Sequence, residues 1–173
     1  MRFEPFDVLS LAATKSAWCK AAVDGGAFVP DVEQQIDWAE KHIKLTENEM
    51  AYGIFPQESN IAVGICELCI TRPSSKGKWI KFMRLRLSPA IDLQLFQHKK
   101  EGVSTAIGAY IACVLGVFHV KNEHKATTIK VYGRTQQQIS FLTLLSAQLE
   151  SRAELSFKSS IEGRWLVLNW IKS

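Results

Sequence analysis

The spacing of apolar residues changes along the chain and predicts most of its helices and strands. Apolar residues spaced by three and four predict a helix after Asp7, which can cap it, and Gly25-Gly26 should end it. The same spacing predicts a second helix that Pro30-Asp31 opens, with Asp31 three residues before Gln34 as in a capping box.

Alternation of apolar and polar residues predicts the strands. The predicted strands cover residues 2–5, 50–55, 61–71, 79–87, 126–132, 153–159 and 164–171. The connections within 50–87 are too short for helical crossovers, so these three strands should form an antiparallel meander. Residues 88–98, which include Pro89, are predicted to be irregular. A helix capped by Thr135 and Gln138 should follow the fifth strand.

The stretch 99–119 predicts a helix with no charged residue between Gly102 and Phe118. Large apolar residues follow one helical stripe, and small residues such as Ala109 and Gly116 follow another. Because its faces are apolar or small all round, we expect this helix to be buried on every face, at the centre of the domain. Its length is near the minimum for a membrane span, but three glycines dilute it, so a buried helix is the expectation.

The N-terminus of this helix has features that favour binding of an anion. Free backbone N–H groups and the positive end of the helix dipole meet there. Lys99 and Lys100 add positive charge, and Gly102 permits close approach of a ligand. The alternative is an ordinary helix start with two solvated lysines.

The order of the predicted elements is β-α-α-β-β-β-α-β-α-β-β. It predicts a single α+β domain over residues 1–173, with a mixed, mostly antiparallel sheet flanked by helices. This order, with Lys99-x-x-Gly102-x-Ser104 between the fourth strand and the central helix, resembles the GNAT superfamily of acyl-CoA-dependent N-acyltransferases. The chain would be a divergent member.

The resemblance implies acetyl-CoA as the donor and an amine as the acceptor. It implies that Lys99, Lys100, Gly102, Val103 and Ser104 bind the pyrophosphate of coenzyme A.

The resemblance also implies that the pantetheine arm lies along the fourth strand, beside Arg84, Leu85, Arg86 and Leu87. The alternative is that Arg84 and Arg86 are solvated residues on a strand edge.

Two residues are candidates for acid–base chemistry. Glu67 shares a strand face with Ile65 and Cys69, where a carboxylate would have a raised pKa and could take a proton from an amine. The alternative is a carboxylate paired with an arginine. Tyr132, near the end of its strand, is the candidate general acid, with an exposed tyrosine as the alternative.

Two departures from the family bear on catalysis. Thirteen positions separate Pro89 from Gly102 (102 − 89), where family members pass quickly from strand to motif. The family's acid tyrosine follows a phenylalanine in the next helix, and the matching pair here is Phe141-Leu142. Two functions therefore stay open, an N-acyltransferase and a catalytically inactive GNAT-like module for binding or assembly.

The composition of the chain limits the classes of binding partner that we expect. The net charge of +4 suits a phosphorylated ligand but does not favour nucleic acid. The basic residues that could bind nucleic acid are dispersed: Lys76, Lys78, Lys81, Arg84 and Arg86. No secretory signal pattern follows Met1, and four cysteines suit a reducing compartment, so we expect a cytoplasmic protein without a membrane partner.

Cysteine and tryptophan add two smaller expectations. Cys66 and Cys69 form a C-x-x-C in a predicted strand, where alternation separates the sulfurs, so no metal site is expected. Trp165 and Trp170 should fall on opposite faces of the last hairpin, which would expose one of them on an edge or at an interface. The resemblance implies that the terminal strands contribute to a homodimer or to the acceptor pocket, and a homodimer is the expectation. The acceptor stays open between a small amine, an antibiotic, a peptide and a protein lysine.

Overall fold

The computed structural model describes residues 1–26, 28–44, 48–72, 77–150 and 157–170. Its elements confirm the predicted α+β class and the predicted order, with one additional helix. In chain order they are β1 (Arg2–Pro5), α1 (Val8–Gly25), α2 (Val29–Lys41), β2 (Glu49–Phe55), β3 (Gly64–Thr71), β4 (Lys78–Leu87), α3 (Pro89–Phe96), α4 (Lys100–Glu123), β5 (Ala126–Tyr132), α5 (Gln136–Glu150), β6 (Phe157–Glu162) and β7 (Trp165–Trp170).

The described strands are hydrogen-bonded in the order β1-β2-β3-β4-β5-β7-β6. Strand β4 pairs with β5 in parallel, as a crossover through a helix requires. The pairs β1–β2, β5–β7 and β6–β7 are antiparallel. The sheet is therefore mixed and mostly antiparallel, as predicted.

Contacts divide the chain into two compact units. The first comprises Met1–Leu68 and Arg84–Gly116, and the second comprises Cys69–Met83 and Val117–Ser173. The single domain over residues 1–173 stays a prediction.

Helices α1 and α2 enclose an apolar core in the first unit, built on Trp18, Ile36, Ala39 and Ile65. The indole Nε1 of Trp18, in α1, donates to the carbonyl oxygen of Ala62 at 2.7 Å. This hydrogen bond holds the segment before β3 against α1. Burial of these side chains away from water is the main stabilising term here.

The predicted start of α1 is confirmed, whereas α2 begins one residue before the predicted Pro30-Asp31 and lacks the predicted capping box. Asp7 caps α1 in a capping box with Ser10. Helix α2 begins at Val29 after Phe28, with no side-chain cap, so Asp31 lies inside the first turn. Pro30 explains the earlier start, since a first-turn residue needs no intrahelical N–H donor.

The irregular segment predicted for 88–98 is wrong, because residues 89–96 form α3. The Ser88 side chain caps it by accepting from the N–H of Ile91, and Pro89 occupies its first turn. The chain then reverses at His98, which has a positive φ of 54°, and continues into α4.

The prediction that α4 is buried on every face is also wrong. Ala109 and Cys113 are fully buried, whereas four large side chains on one face are about half exposed. These are Val103, Ile107, Ile111 and Leu115, with exposed fractions of 43%, 51%, 48% and 64%. They recur every four residues and so form one ridge along the helix.

Helix α4 is long and apolar enough to cross a membrane by length and composition, with a mean hydropathy of 1.9 over its most apolar window. One third of that window is buried within the protein. A core helix passes the same test, so this feature alone carries no membrane assignment.

In the second unit, α5 packs on β6 and β7. The predicted capping box at its start is confirmed. The Gln138 N–H donates to Thr135 Oγ1, and Gln138 Oε1 accepts from the Thr135 N–H, both at 3.2 Å. Predicted strand residues 153–156 and 171 lie outside the described part of the chain.

The predicted exposure of one tryptophan in the last hairpin is wrong. Trp165 and Trp170 are both partly buried, because Trp165 packs on Tyr132 and Trp170 packs between Phe118 and Phe157. The predicted homodimer thus loses this argument and stays a prediction.

We predict opposite effects for two alanine substitutions within α4. A Cβ at Gly116 would lie 2.1 Å from the Phe3 ring, whereas a Cβ at Gly108 would meet only the flexible end of Met1 at 3.3 Å. Gly116→Ala should destabilise the protein by about 1–3 kcal/mol through overpacking. Gly108→Ala should be neutral or stabilising by about 0.5–1 kcal/mol, because alanine favours the helix. Urea unfolding of both variants measures the difference, and equal effects would contradict the close contact of α4 with β1.

Candidate active site

Glu67 lies on β3 within a polar cluster of the first unit. Its side chain is 17% exposed, and its Oε2 lies 3.6 Å from Nε of Arg84 on β4. Burial raises the pKa of Glu67, the charge of Arg84 opposes that increase, and Glu49 adds to it. Both alternatives considered for Glu67 are therefore present together, a carboxyl with a raised pKa and an arginine partner.

His42 completes this cluster, and the sequence analysis missed it. It lies just past the end of α2, where its carbonyl accepts from the N–H of Ala51 on β2 at 2.9 Å. Its Nδ1 is 2.7 Å from the Trp38 carbonyl oxygen, and its Nε2 is 3.2 Å from Oε2 of Glu49. Because a carbonyl only accepts, Nδ1 carries a proton, and Nε2 is the atom that can exchange one.

The cluster places two carboxyl groups, one imidazole and one guanidinium within one unit. Glu67 can accept a proton, while His42 and Glu49 form a second pair whose charges act on Glu67. No local sequence motif announces His42, since it follows a helix end and meets Glu49 only through the packing of α2 on β2. A carboxyl of raised pKa beside further titratable groups is typical of acid–base sites.

The predicted binding residues of β4 differ in exposure. Arg84 and Arg86 are exposed, whereas Leu85 and Leu87 are partly buried. A Cβ at Gly64 would lie 3.0 Å from Leu85, so β3 and this end of β4 pack closely. The register of β4 with β5 runs from Lys78 to Phe82, ahead of all four residues.

The predicted phosphate residues at the start of α4 are only partly open. Lys99, Lys100, Val103 and Ser104 are exposed, and Gly102 is buried. A Cβ at Gly102 would lie 2.5 Å from Cβ of Gln94 and 3.1 Å from its carbonyl carbon. The close approach that this glycine permits is therefore made by α3.

Tyr132 belongs to the second unit, whereas Glu67 belongs to the first. It pairs with Trp165 in the β5–β7 register, and the two rings pack in a tilted arrangement with centroids 4.8 Å apart. The structure therefore gives Tyr132 a packing role, and its acid role stays a prediction.

A pocket of about 400 Å³ lies in the first unit, between the end of α1, the start of α2, the end of β4 and α3. Such a volume suits a small organic ligand. Its lining is mainly apolar and includes the charged side chains of Asp31, Arg86 and Asp92. Burial raises the pKa of Asp92, and the charge of Arg86 opposes the increase.

Among the described residues, no group of three or more His, Cys, Asp or Glu side chains could hold a metal ion. None of the described cysteines, Cys19, Cys66, Cys69 and Cys113, forms a disulfide. Cys66 contacts Cys113 and is fully buried, and this burial raises the pKa of its thiol. Cys66 and Cys113, which are both buried, therefore act as core side chains.

Comparison with known proteins identifies the fold. No protein-family model matches the sequence, and no curated protein matches it either. A solved structure described as "Crystal structure of a probable acetyltransferase" matches with a TM-score of 0.50 and 15% identity. The match covers 94% of this chain and 97% of the other. The chain therefore shares the fold of that probable acetyltransferase over nearly its whole length.

The raised pKa of Glu67 predicts how stability depends on pH. The folded state holds this proton more tightly than the unfolded chain, so stability should fall as the pH rises from the ordinary value of 4.5 through the raised pKa. Glu67→Gln should remove that fall. The free energy of unfolding of the variant, relative to the wild type, should therefore increase as the pH is raised from below 4.5 to neutrality.

Exposed Glu58, changed to Gln, is the matched control for this experiment. Its stability curve should run parallel to that of the wild type in denaturant titrations over the same pH series. A Glu67→Gln curve that falls relative to the wild type with rising pH would mean that Arg84 dominates over burial.

Proposed function

We propose that the protein is an acyl-CoA-dependent N-acyltransferase with acetyl-CoA as the donor. The observation that carries the proposal is the shared fold with a probable acetyltransferase over 94% of the chain. A shared fold is compatible with other functions, so the proposal needs the residues as well. The sequence resemblance to the GNAT superfamily and the cluster around Glu67 support it independently.

In this proposal, Glu67 takes a proton from the acceptor ammonium. The amine nitrogen then attacks the thioester carbon, a C–N bond forms and the C–S bond breaks. The nitrogen's second proton passes to solvent, the coenzyme leaves as a thiolate that takes a proton from solvent, and Glu67 returns its own proton to water. The partly buried Glu67 suits this task, because its raised pKa brings it nearer to that of an amine.

The positive charge of the lysines at the start of α4 suits the phosphates of coenzyme A. Lys99 and Lys100 are exposed cations at a helix start, and Ser104 adds a hydroxyl group. Gly102 faces α3, so phosphate would contact the outer side of the turn rather than Gly102. In the proposed complex the pantetheine arm follows Leu85, Arg86 and Leu87.

A second candidate, a non-catalytic module of the same fold, is favoured by one observation. Leu142, at the position where the family carries its acid tyrosine, is 1% exposed and belongs to the core. No proton donor can act from that position, so the leaving thiolate would take its proton elsewhere. Turnover discriminates between the two candidates.

Coenzyme A should raise the midpoint of thermal unfolding, since a ligand that binds only the folded state stabilises it. The double variant Lys99→Glu with Lys100→Glu should bind coenzyme A at least about tenfold more weakly for each lost charge-assisted contact. Gly102→Glu is a poorer variant, because its side chain would collide with Gln94.

The control for this titration is Lys158→Glu, which changes the charge of an exposed lysine on β6. It should keep the wild-type shift in melting temperature. No shift in the wild type at millimolar coenzyme A would contradict the proposed function, and an equal shift in the double variant would contradict the assigned phosphate residues.

A further inference from the structure

The two compact units of the chain carry opposite net charges. By sequence, the unit of Cys69–Met83 and Val117–Ser173 holds twelve Lys and Arg residues against four Asp and Glu, a net charge of +8 (12 − 4). The other unit holds nine against thirteen, a net charge of −4 (9 − 13). The value of +4 for the whole chain, on which the expectation against nucleic acid rested, therefore conceals a strongly basic unit. Such an asymmetry is typical of a unit that binds an anionic macromolecule.

The last part of α4 and helix α5 pack on one face of the sheet in this basic unit. Phe118, in α4, packs against Phe157 and Trp170 with ring centroids 5.7 Å and 5.4 Å away. The hydroxyl of Ser146, in α5, lies 2.8 Å from that of Ser159 on β6. Because side chains alternate along a strand, the neighbours of these strand residues point to the opposite face, which we call the outer face. Its exposed side chains on β6 and β7 are polar: Lys158, Ser160, Glu162 and Asn169.

The outer face combines aromatic rings with ammonium groups. From β4 to β6, the strand register places on it Trp79, Lys81, Lys130, Tyr132, Trp165 and Lys158. The Nζ atoms of Lys130 and Lys81 lie 4.2 Å and 5.9 Å from the centroid of the Trp79 ring. The rings of Tyr132 and Trp165 pack together with centroids 4.8 Å apart. Apart from the exposed Lys158, these side chains are partly buried, so the rings and cations hold one another in place at the surface.

Two arginines add positive charge at one end of the outer face. Nη1 of Arg164 donates to the carbonyl oxygen of Arg134 at 2.6 Å, and both residues are exposed. Arg164 directly precedes Trp165. Glu162 is an acid on the outer face, and its Oε2 lies 3.6 Å from Nζ of Lys130. Because the cations outnumber this carboxylate, the face attracts anions.

The arrangement suits unpaired bases. Aromatic rings on a sheet face stack on unpaired bases, and neighbouring cations contact the phosphates that join them. Trp79 pairs with Thr128, which stands four residues before Tyr132 (132 − 128), so about 13 Å separate the two aromatic positions along the strands. This length corresponds to about four stacked nucleotides at about 3.4 Å each.

A duplex and a lipid surface suit the outer face less well. The faces of the bases in a duplex are covered by their neighbours in the stack, so the rings of Trp79 and Tyr132 would have no base to contact. Binding to a lipid surface requires exposed apolar side chains that enter the bilayer, whereas the exposed side chains of β6 and β7 on this face are polar.

We propose that the outer face of the basic unit binds single-stranded nucleic acid. Bases stack on Trp79 and on the pair of Tyr132 and Trp165, and phosphates contact the three lysines of the face. This inference goes beyond the proposed acyl transfer and does not depend on it.

Fluorescence anisotropy of the full chain with labelled oligouridine and oligothymidine tests the inference. Binding of either strand supports it, and the ratio of the two affinities distinguishes RNA from DNA. The logarithm of the binding constant should fall with the logarithm of the salt concentration with a slope of about −2, as three phosphate contacts at about −0.7 each require. A duplex of the same length should bind at least about tenfold more weakly, because its bases are not available for stacking.

Variants separate stacking from charge. Trp79→Ala should weaken binding by about tenfold or more and leave the salt slope unchanged, because it removes a stacking contact. Lys81→Gln should also weaken binding, but it should bring the slope closer to zero by about 0.7. The control Lys20→Gln removes an exposed lysine from α1, in the other unit, and should bind like the wild type.

Glu162→Gln keeps the test decisive if the tryptophan variant fails to fold. The side chain of Glu162 is 56% exposed, so its substitution is safe for folding. Loss of its negative charge should strengthen binding by about two- to fivefold at low salt.

Several results would overturn the inference: no binding of either single strand at low salt, a duplex bound as tightly as the single strand, or undiminished binding by a folded Trp79→Ala variant. Unchanged or weaker binding by Glu162→Gln would also contradict it. Binding to vesicles of anionic phospholipid without binding to either strand would overturn it and assign the basic unit to a membrane surface.

Discussion

Helix α3 lies so close to the first turn of α4 that residue 102 has no room for a side chain. A Cβ there would lie 2.5 Å from Cβ of Gln94, and the Lys99 N–H donates to the Gln94 carbonyl at 2.9 Å. This contact closes one side of the helix start. The same helix supplies Pro89, Asp92 and Phe96 to the pocket, so one packing constraint shapes both candidate ligand sites.

A second constraint is electrostatic and concerns Glu67. Its carboxyl group is mostly removed from water, a cost that Arg84 offsets only in part, because the side chain of Arg84 is 46% exposed and screened by solvent. His42 and Glu49 extend the cluster, and the backbone bond between His42 and Ala51 fixes their positions. A carboxyl held in this way is ready to accept a proton at a pH where an ordinary glutamate is a weaker base.

Local signals in the sequence predicted the elements well where each signal was unambiguous. Asp7 and Thr135 mark helix starts that the structure confirms, and alternation located the strands. Helix α3 also had a local signal, Ser88 followed by Pro89, but the proline was read as a sign of irregular structure although it favours the first turn of a helix. Pro30, by contrast, was interpreted as a helix start, and it lies in the first turn of α2.

Tertiary features were beyond the reach of local pattern. Periodicity shows that Ile107 and Leu115 share a face of α4, but only packing decides that this face stays exposed. Glu67 was predicted from its place in an apolar strand, whereas His42 enters the cluster through the packing of α2 on β2. Gly102 was predicted to permit close approach of a ligand, and in the structure α3 lies in that close position.

The most direct test of the account is the formation of acetylated amine, measured by mass spectrometry after incubation with acetyl-CoA and a panel of primary amines. The account predicts an N-acetylated amine in an amount equal to the free coenzyme A thiol released. It also predicts a rate about 10²–10⁴-fold lower for Glu67→Gln, as expected for the loss of a general base. Thiol release without acetylated amine, or product formation by Glu67→Gln at the wild-type rate, would contradict it.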